Sequence, residues 1–250
     1  MNDPTSAHWE RLDRAFEAAI APVRDSPAPI SLLFSGGVDS SLLAWELRRR
    51  PELELVVVGA PESPDIVQAT QAATRLGRPL TVRPLTGAEI GTMERRLAAA
   101  LAGTDSVRRS VAVTLALAIE SARCGPVVVG QGSDELFLGY QHFVGLSPED
   151  ALARARSDLD LLCREEWPRA LRIAEELGHR LLAPYLERVW IEAANAVPIE
   201  ARLPTRSRKE LFRSWAEHRG LPRTIARAPK RAMQYGSRVH QLRARGARGP

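Results

Sequence analysis

Apolar residues follow two periods along this chain. Continuous apolar runs of strand length stand at "ISLLF" (30–34), "LELVVVGA" (53–60), "PLTVRPL" (79–85) and "GPVVVG" (125–130). Around them, apolar residues recur at helical spacing. Trp9, Leu12, Phe16, Ala19 and Ile20 share one face near the start, and Val38, Leu42 and Trp45 share another. A further helix is predicted over 63–77, with Ser63 as N-cap, Pro64 in its first turn and Gly77 as its stop. Thr86 and Glu89 form a capping-box pattern opening a helix that ends near Gly103. Residues 106–124 predict another, rich in small apolar residues and therefore buried. Strands alternating with helices predict a parallel, doubly wound α/β sheet. After Tyr140 the strand pattern stops, and 147–163, 165–178, 184–196 and 206–218 read as helices. The expected organisation is an α/β part over about 28–145, a helical part over about 146–240 and a basic tail at 241–250. No repeat or low-complexity linker divides the parts, so one unit is expected, with its site between them.

The first strand runs into "SGGVDSS" and then a helix. A helix begins with amides that lack intrahelical partners, and its dipole adds positive potential there. Gly36 and Gly37 let a ligand approach the backbone, and Ser35, Ser40 and Ser41 add hydroxyl donors. Asp39 is out of place beside an anion unless a hard cation such as Mg²⁺ accompanies it. The plainer alternative is a serine-rich strand-to-helix turn. The stretch matches neither G-x-x-x-x-G-K-[ST] nor G-x-G-x-x-G. The fourth strand also runs into a glycine turn with a polar cluster, "GQGSDELFLGY" (130–140). In a parallel sheet both turns fall at the carboxyl ends of strands, where open α/β sheets bind ligands. Asp134 and Glu135 would then join Asp39 beside an anion, a second indication of Mg²⁺.

Composition narrows the class. The chain has 250 residues and 44% hydrophobic residues, enough for a sizeable core. Its longest apolar run, "VAVTLALAI" (111–119), is too short to span a bilayer, and the first residues lack the pattern of a signal peptide. Cys124 and Cys163 form no CxxC and are expected as reduced thiols in the cytoplasm. The net charge of +5 comes partly from the tail "RVHQLRARGARGP", and no basic stripe interleaved with aromatics marks a nucleic-acid surface. Of 35 Lys plus Arg, only Lys209 and Lys230 are lysine. In a chain so biased to arginine, both are candidates for sites that require a compact ammonium.

Several segments together carry a family resemblance. "SGGVDS" resembles the PP-loop of the N-type ATP pyrophosphatases, and "GQGSDELFLGY" resembles the G-E-G-[SA]-D-E-L-F-x-G-Y segment of the asparagine synthetases. "GAPESPDIVQAT", "LLAPYLERVWIEAANAVPIEARLPTRSRKELFR" and "APKRAMQYGSRV" resemble further segments of that family, in the same order, from about residue 28 to 240. The resemblance implies an ATP-dependent, AMP-forming carbon–nitrogen ligase that adenylates a carboxylate and passes it to ammonia or an amine. It implies pyrophosphate on residues 35–40, adenosine flanked by the backbone near Leu33, Val58 and Gly130, and Mg²⁺ on Asp39 and Asp134. It implies that Lys230 stabilises charge during adenylation, and it matches Lys209 to a second lysine of the family pattern.

Two departures qualify it. The family usually carries an N-terminal glutamine-hydrolysing domain, absent from this sequence, so nitrogen is expected as ammonia, as an amine or from a separate glutaminase subunit. The glutamate of G-E-G is Gln131 here. An amide is no base, which weakens the expectation of asparagine itself as product. His142 in "GYQHF" is a candidate replacement base. The other readings are a PP-loop enzyme modifying tRNA or another nucleic acid, and a non-catalytic nucleotide-binding subunit. Homo-oligomerisation is compatible with all of these.

Overall fold

The computed structural model describes residues 4–123, 125–204, 207–228, 237–239 and 241–242. Its centre is a five-stranded, all-parallel sheet. The strands are β1 (Ile30–Leu33), β2 (Leu53–Gly59), β3 (Leu80–Pro84), β4 (Val127–Val128) and β5 (Leu181–Leu182). Their spatial order is β3-β2-β1-β4-β5. Ile30 pairs with Leu53, Ser31 with Val127, and Val127 with Leu181. From β1 the chain moves outward through β2 and β3, then returns to the far side for β4 and β5. The carboxyl ends of β1 and β4 therefore flank the point where the winding reverses, the usual crevice for a ligand in such sheets.

Helices alternate with these strands: α1 (Pro4–Arg24), α2 (Val38–Glu46), α3 (Pro64–Arg75), α4 (Gly87–Arg96) and α5 (Ser106–Glu120). The later helices are α6 (Ser133–Leu136), α7 (Pro148–Leu161), α8 (Trp167–Glu176), α9 (Arg188–Asn195), α10 (Ile199–Arg202), α11 (Glu210–His218) and α12 (Arg223–Ala226). The doubly wound arrangement read from the sequence is present. The capping box at Thr86 and Glu89 forms as expected. Ser63 is the N-cap residue of α3, but its hydroxyl makes no capping bond.

Alternation along the strands builds a layer on each face. Ile30, Leu32, Leu53, Leu55 and Val57 pack with residues of α1, α2, α3, α9 and α11. Val58 faces the other way, with residues of α4 and α5. Val127, Val129 and Leu181 pack with residues of α5 and α8.

Three details correct the sequence reading. Strands do not stop after Tyr140, because β5 adds to the sheet edge, with Val127 N–H donating to Arg180 O and Val129 N–H to Leu182 O. A pair of leucines just ahead of Ala183 and Pro184 carries no period, so only the pairing reveals it. The predicted break at 164 and the predicted helix start at 184 also differ. A π-helical turn at Leu162–Glu166 joins α7 to α8, and a 3₁₀ turn at Pro184–Leu186 precedes α9.

Candidate active site

The loop after β1 is shaped by what packs against it. Gly36 has φ +71°, the left-handed region that favours glycine. A Cβ there would lie 2.7 Å from Gln68 O on α3, so the loop presses against a neighbouring backbone. The Gln68 side chain fixes the same place, Nε2 donating to Gly36 O at 3.1 Å. Gly37 is the N-cap of α2 and gives it no side-chain capping bond. The N-terminus of α2 opens beside the Ser35 and Ser40 hydroxyls, which lie 3.4 Å apart.

The second turn lies against the first. A Cβ on Gly130 would lie 3.3 Å from the Asp39 Cβ. Gln131 follows, and its buried side-chain oxygen accepts no hydrogen bond among the described residues. Leu33 ends β1, and Val58 lies near the carboxyl end of β2. The places predicted to flank an adenosine, Leu33, Val58 and Gly130, therefore stand at the ends of β1, β2 and β4.

A third segment arrives from the helical part. Lys209, the N-cap of α11, is 1% exposed. Its Nζ donates to Asp39 Oδ1 at 2.6 Å and to Ser133 Oγ at 2.9 Å, and lies 2.8 Å from Asp134 Oδ1. Both predicted metal ligands, Asp39 and Asp134, are thereby brought to one point. Space for them comes from Gly139, where a Cβ would lie 1.8 Å from Asp134 Oδ1 and 2.3 Å from Lys209 Cε. Next to Asp134, Glu135 is almost wholly enclosed. Burial, with the Asp134 charge second, pushes its carboxyl up to about 7. The Tyr140 hydroxyl donates to it.

Both acids offer hard oxygens, and among the described residues no group of three or more His, Cys, Asp or Glu is placed to hold a metal. That donor set fits Mg²⁺, which commonly takes one or two carboxylates and completes its shell with phosphate oxygens and water. It does not resemble a closed all-protein cage.

Lys230 lies outside the described residues. Its flanks are held at defined places. Arg213 on α11 donates to the carbonyl oxygens of Ala226 and Ala228, the latter at 3.0 Å. Beyond it, Ala60 N–H, just past β2, donates to Ser237 O at 2.8 Å. His142 Nε2 lies 2.8 Å from Asp158 Oδ2 on α7. Cys163 is an exposed free thiol, and Cys124 lies outside the described residues. Among the described residues no helix is long and apolar enough to cross a membrane.

Ser133, Gly139, Gln68 and Tyr185 were not singled out in the sequence. Tyr185 donates its hydroxyl to Asp39 O at 3.0 Å. Gly139 and Tyr185 had visible signals, in "FLGY" and "APYLE"; the Gln68 bond had none.

The family model described as asparagine synthase matches residues 11–183 and 172–248. An asparagine synthetase [glutamine-hydrolyzing] of Gallus gallus is 29% identical over 235 residues, covering 88% of this chain and 42% of that protein. The Homo sapiens protein of the same name is 30% identical over 222 residues, covering 83% and 39%. The chain thus spans about two fifths of the length of these relatives. Among solved structures, an NH3-dependent NAD synthetase from Campylobacter jejuni aligns over 90% of this chain and 99% of that one, at 14% identity and a TM-score of 0.35. A superposition that loose carries no argument.

Proposed function

The chain belongs to the asparagine synthase family, and from that premise we propose that it is an ATP-dependent, AMP-forming carbon–nitrogen ligase. In this reading a carboxylate oxygen attacks the α-phosphorus of ATP and pyrophosphate leaves. Ammonia or an amine then attacks the acyl carbon and expels AMP. The observation that carries the proposal is convergence. The "SGGVDS" loop, the "GQGSDEL" turn and Lys209 come from three distant parts of the sequence and meet where the sheet winding reverses.

The roles follow from the chemistry of each group. The leading amides of α2, with Ser35 and Ser40, hold the pyrophosphate, and Gly36 and Gly37 let it come close. The ends of the strands at Leu33, Val58 and Gly130 border the nucleoside. Asp39 and Asp134 would hold a Mg²⁺ ion, which would neutralise charge on the phosphates. Lys230, between its two anchored flanks, would place an ammonium on the charge that develops as the carboxylate attacks. Gln131 turns an amide toward the nucleophile. It accepts a hydrogen bond from an amine without taking its proton, which argues for a product other than asparagine. The α/β part and the helical part act as one synthetase unit, because the site needs Lys209 from the second. Nitrogen would come from ammonia or an amine. No described feature favours the nucleic-acid alternative.

The test is product analysis. With ATP, Mg²⁺, ammonium and a panel of carboxylates, at least one acid should give AMP and pyrophosphate in equal amounts. ADP as the nucleotide product, or hydrolysis indifferent to every acid, would remove the proposal.

A further inference from the structure

Lys209 is placed for a different task from Lys230. An ammonium carries three N–H donors. At Lys209, Nζ donates to Asp39 Oδ1 at 2.6 Å and to Ser133 Oγ at 2.9 Å, and it pairs by charge with Asp134 Oδ1 at 2.8 Å. Such a group is engaged from within the protein and 1% exposed. It is a poor candidate to reach a substrate.

The backbone around it is shaped to keep it there. Lys209 sits at φ 58°, ψ 34°, in the left-handed region that a residue with a side chain enters at a cost. Leu138, one residue before Gly139, is also left-handed, at φ 56°. Gly139 leaves empty the volume that Asp134 and the Lys209 stem require. Unfavourable conformations of this kind persist only where the surroundings over-determine them. Here they frame one ammonium between two carboxylates. Arginine would bring a broad planar head into a place sized for a point charge, which accounts for one of the two lysines of an arginine-rich chain.

We propose that Lys209 is a resident counter-ion, a positioning residue that holds Asp39 and Asp134 together in the nucleotide-free protein and disfavours a divalent cation there until a polyphosphate arrives with it. This rests on the reading above that the two acids serve Mg²⁺. The electrostatics are simple. Two carboxylates that already share an ammonium have little net charge left for a dication, and the ammonium repels it at close range. Four negative charges on a triphosphate reverse that balance. The site would therefore load metal with nucleotide and not before it. The nearby charges include Glu135 beside Asp134 and Arg213, which feels the Asp39 charge.

The experiment uses Mn²⁺ as probe, followed by electron paramagnetic resonance, on the full chain without nucleotide. Lys209→Met keeps the stem and removes the charge. Wild type should bind Mn²⁺ weakly, and Lys209→Met should bind it about 10-fold or more tightly, the lower end of what altering groups around a metal ligand does. Lys209→Met with Asp39→Asn should lose that gain. Thermal unfolding gives a second readout. Mn²⁺ should raise the midpoint of Lys209→Met, or restore its fold if the chain is unfolded alone, and leave wild type unchanged. Equal or weaker Mn²⁺ binding by Lys209→Met, or no recovery of an unfolded Lys209→Met by Mn²⁺, overturns the proposal. Neither readout involves turnover. A wild type that makes no AMP with any acid would remove the ligase reading without touching this result, and the reverse holds equally.

Discussion

The rings of Phe16, Phe137, Tyr185, Trp190, Phe212 and Trp215 pack together, and through Tyr185 and Phe212 they adjoin the ionic cluster of Lys209, Asp39, Ser133 and Asp134. Both are buried, and they are held by opposite means. Phe16 meets Trp215 edge-on at 5.2 Å, Trp190 and Trp215 lie 5.0 Å apart, and Phe137 and Phe212 are also 5.0 Å apart. Such contacts are broad and weakly directional, and their strength scales with area removed from water. The ionic cluster depends on a few short contacts in fixed directions. Aromatic packing brings α1, α9 and α11 together, and that places Lys209, at the head of α11, beside the turns that follow β1 and β4. Two residues join the clusters. Tyr185 stacks among the rings and bonds Asp39 O, and Phe212 lies 5.7 Å from the Lys209 ammonium. Shape builds the support, and charge, which tolerates little change, sets the site.

That contrast can be broken most sharply at Asp39. Asp39→Asn keeps the volume and removes one charge, so ATP–pyrophosphate exchange should be abolished while circular dichroism stays native. Normal exchange by this variant would end the role given to Asp39. The reverse experiment is Trp215→Ala, which leaves every site group in place. Truncating a buried tryptophan typically costs about 3–5 kcal/mol of stability. Denaturant unfolding should show that loss, while exchange per folded molecule below the transition stays near wild type.

Lys230 separates charge from shape. Lys230→Ala and Lys230→Arg should both lower exchange by about 10²–10³, the usual effect of losing one stabilising donor, with ATP binding nearly unchanged. A Lys230→Arg protein that kept most of its activity would show that charge alone suffices there. The smallest effect is expected at the junction. Tyr185→Phe keeps the stacked ring and removes the bond to Asp39 O, at a cost of about 1 kcal/mol in unfolding experiments.

The two clusters also differ in how far they could be read in advance. The sheet, the loop after β1 and the turn after β4 were legible because glycine turns following apolar runs have a local cause. Trp9, Leu12, Phe16, Ala19 and Ile20 gave α1 by period alone. Other features are fixed by partners distant in sequence. β5 is two leucines that become a strand only beside Val127 and Val128. The contact of His142 with Asp158 spans 16 positions. Lysine scarcity singled out Lys209, but its place between two acids depends on the space left by Gly139, 70 positions earlier. Lys230 stands on the sequence pattern and its flanks alone.

The central claim is that a carboxylate is activated by transfer to AMP, and isotope transfer tests it most directly. The acid that supports AMP formation is prepared with oxygen-18 in both carboxyl oxygens and turned over with ATP and ammonia or the matching amine. One labelled oxygen should leave on the AMP phosphate and one should remain in the amide, as mass spectrometry of the two products would show. AMP without label, or label found in inorganic phosphate beside ADP, would contradict it.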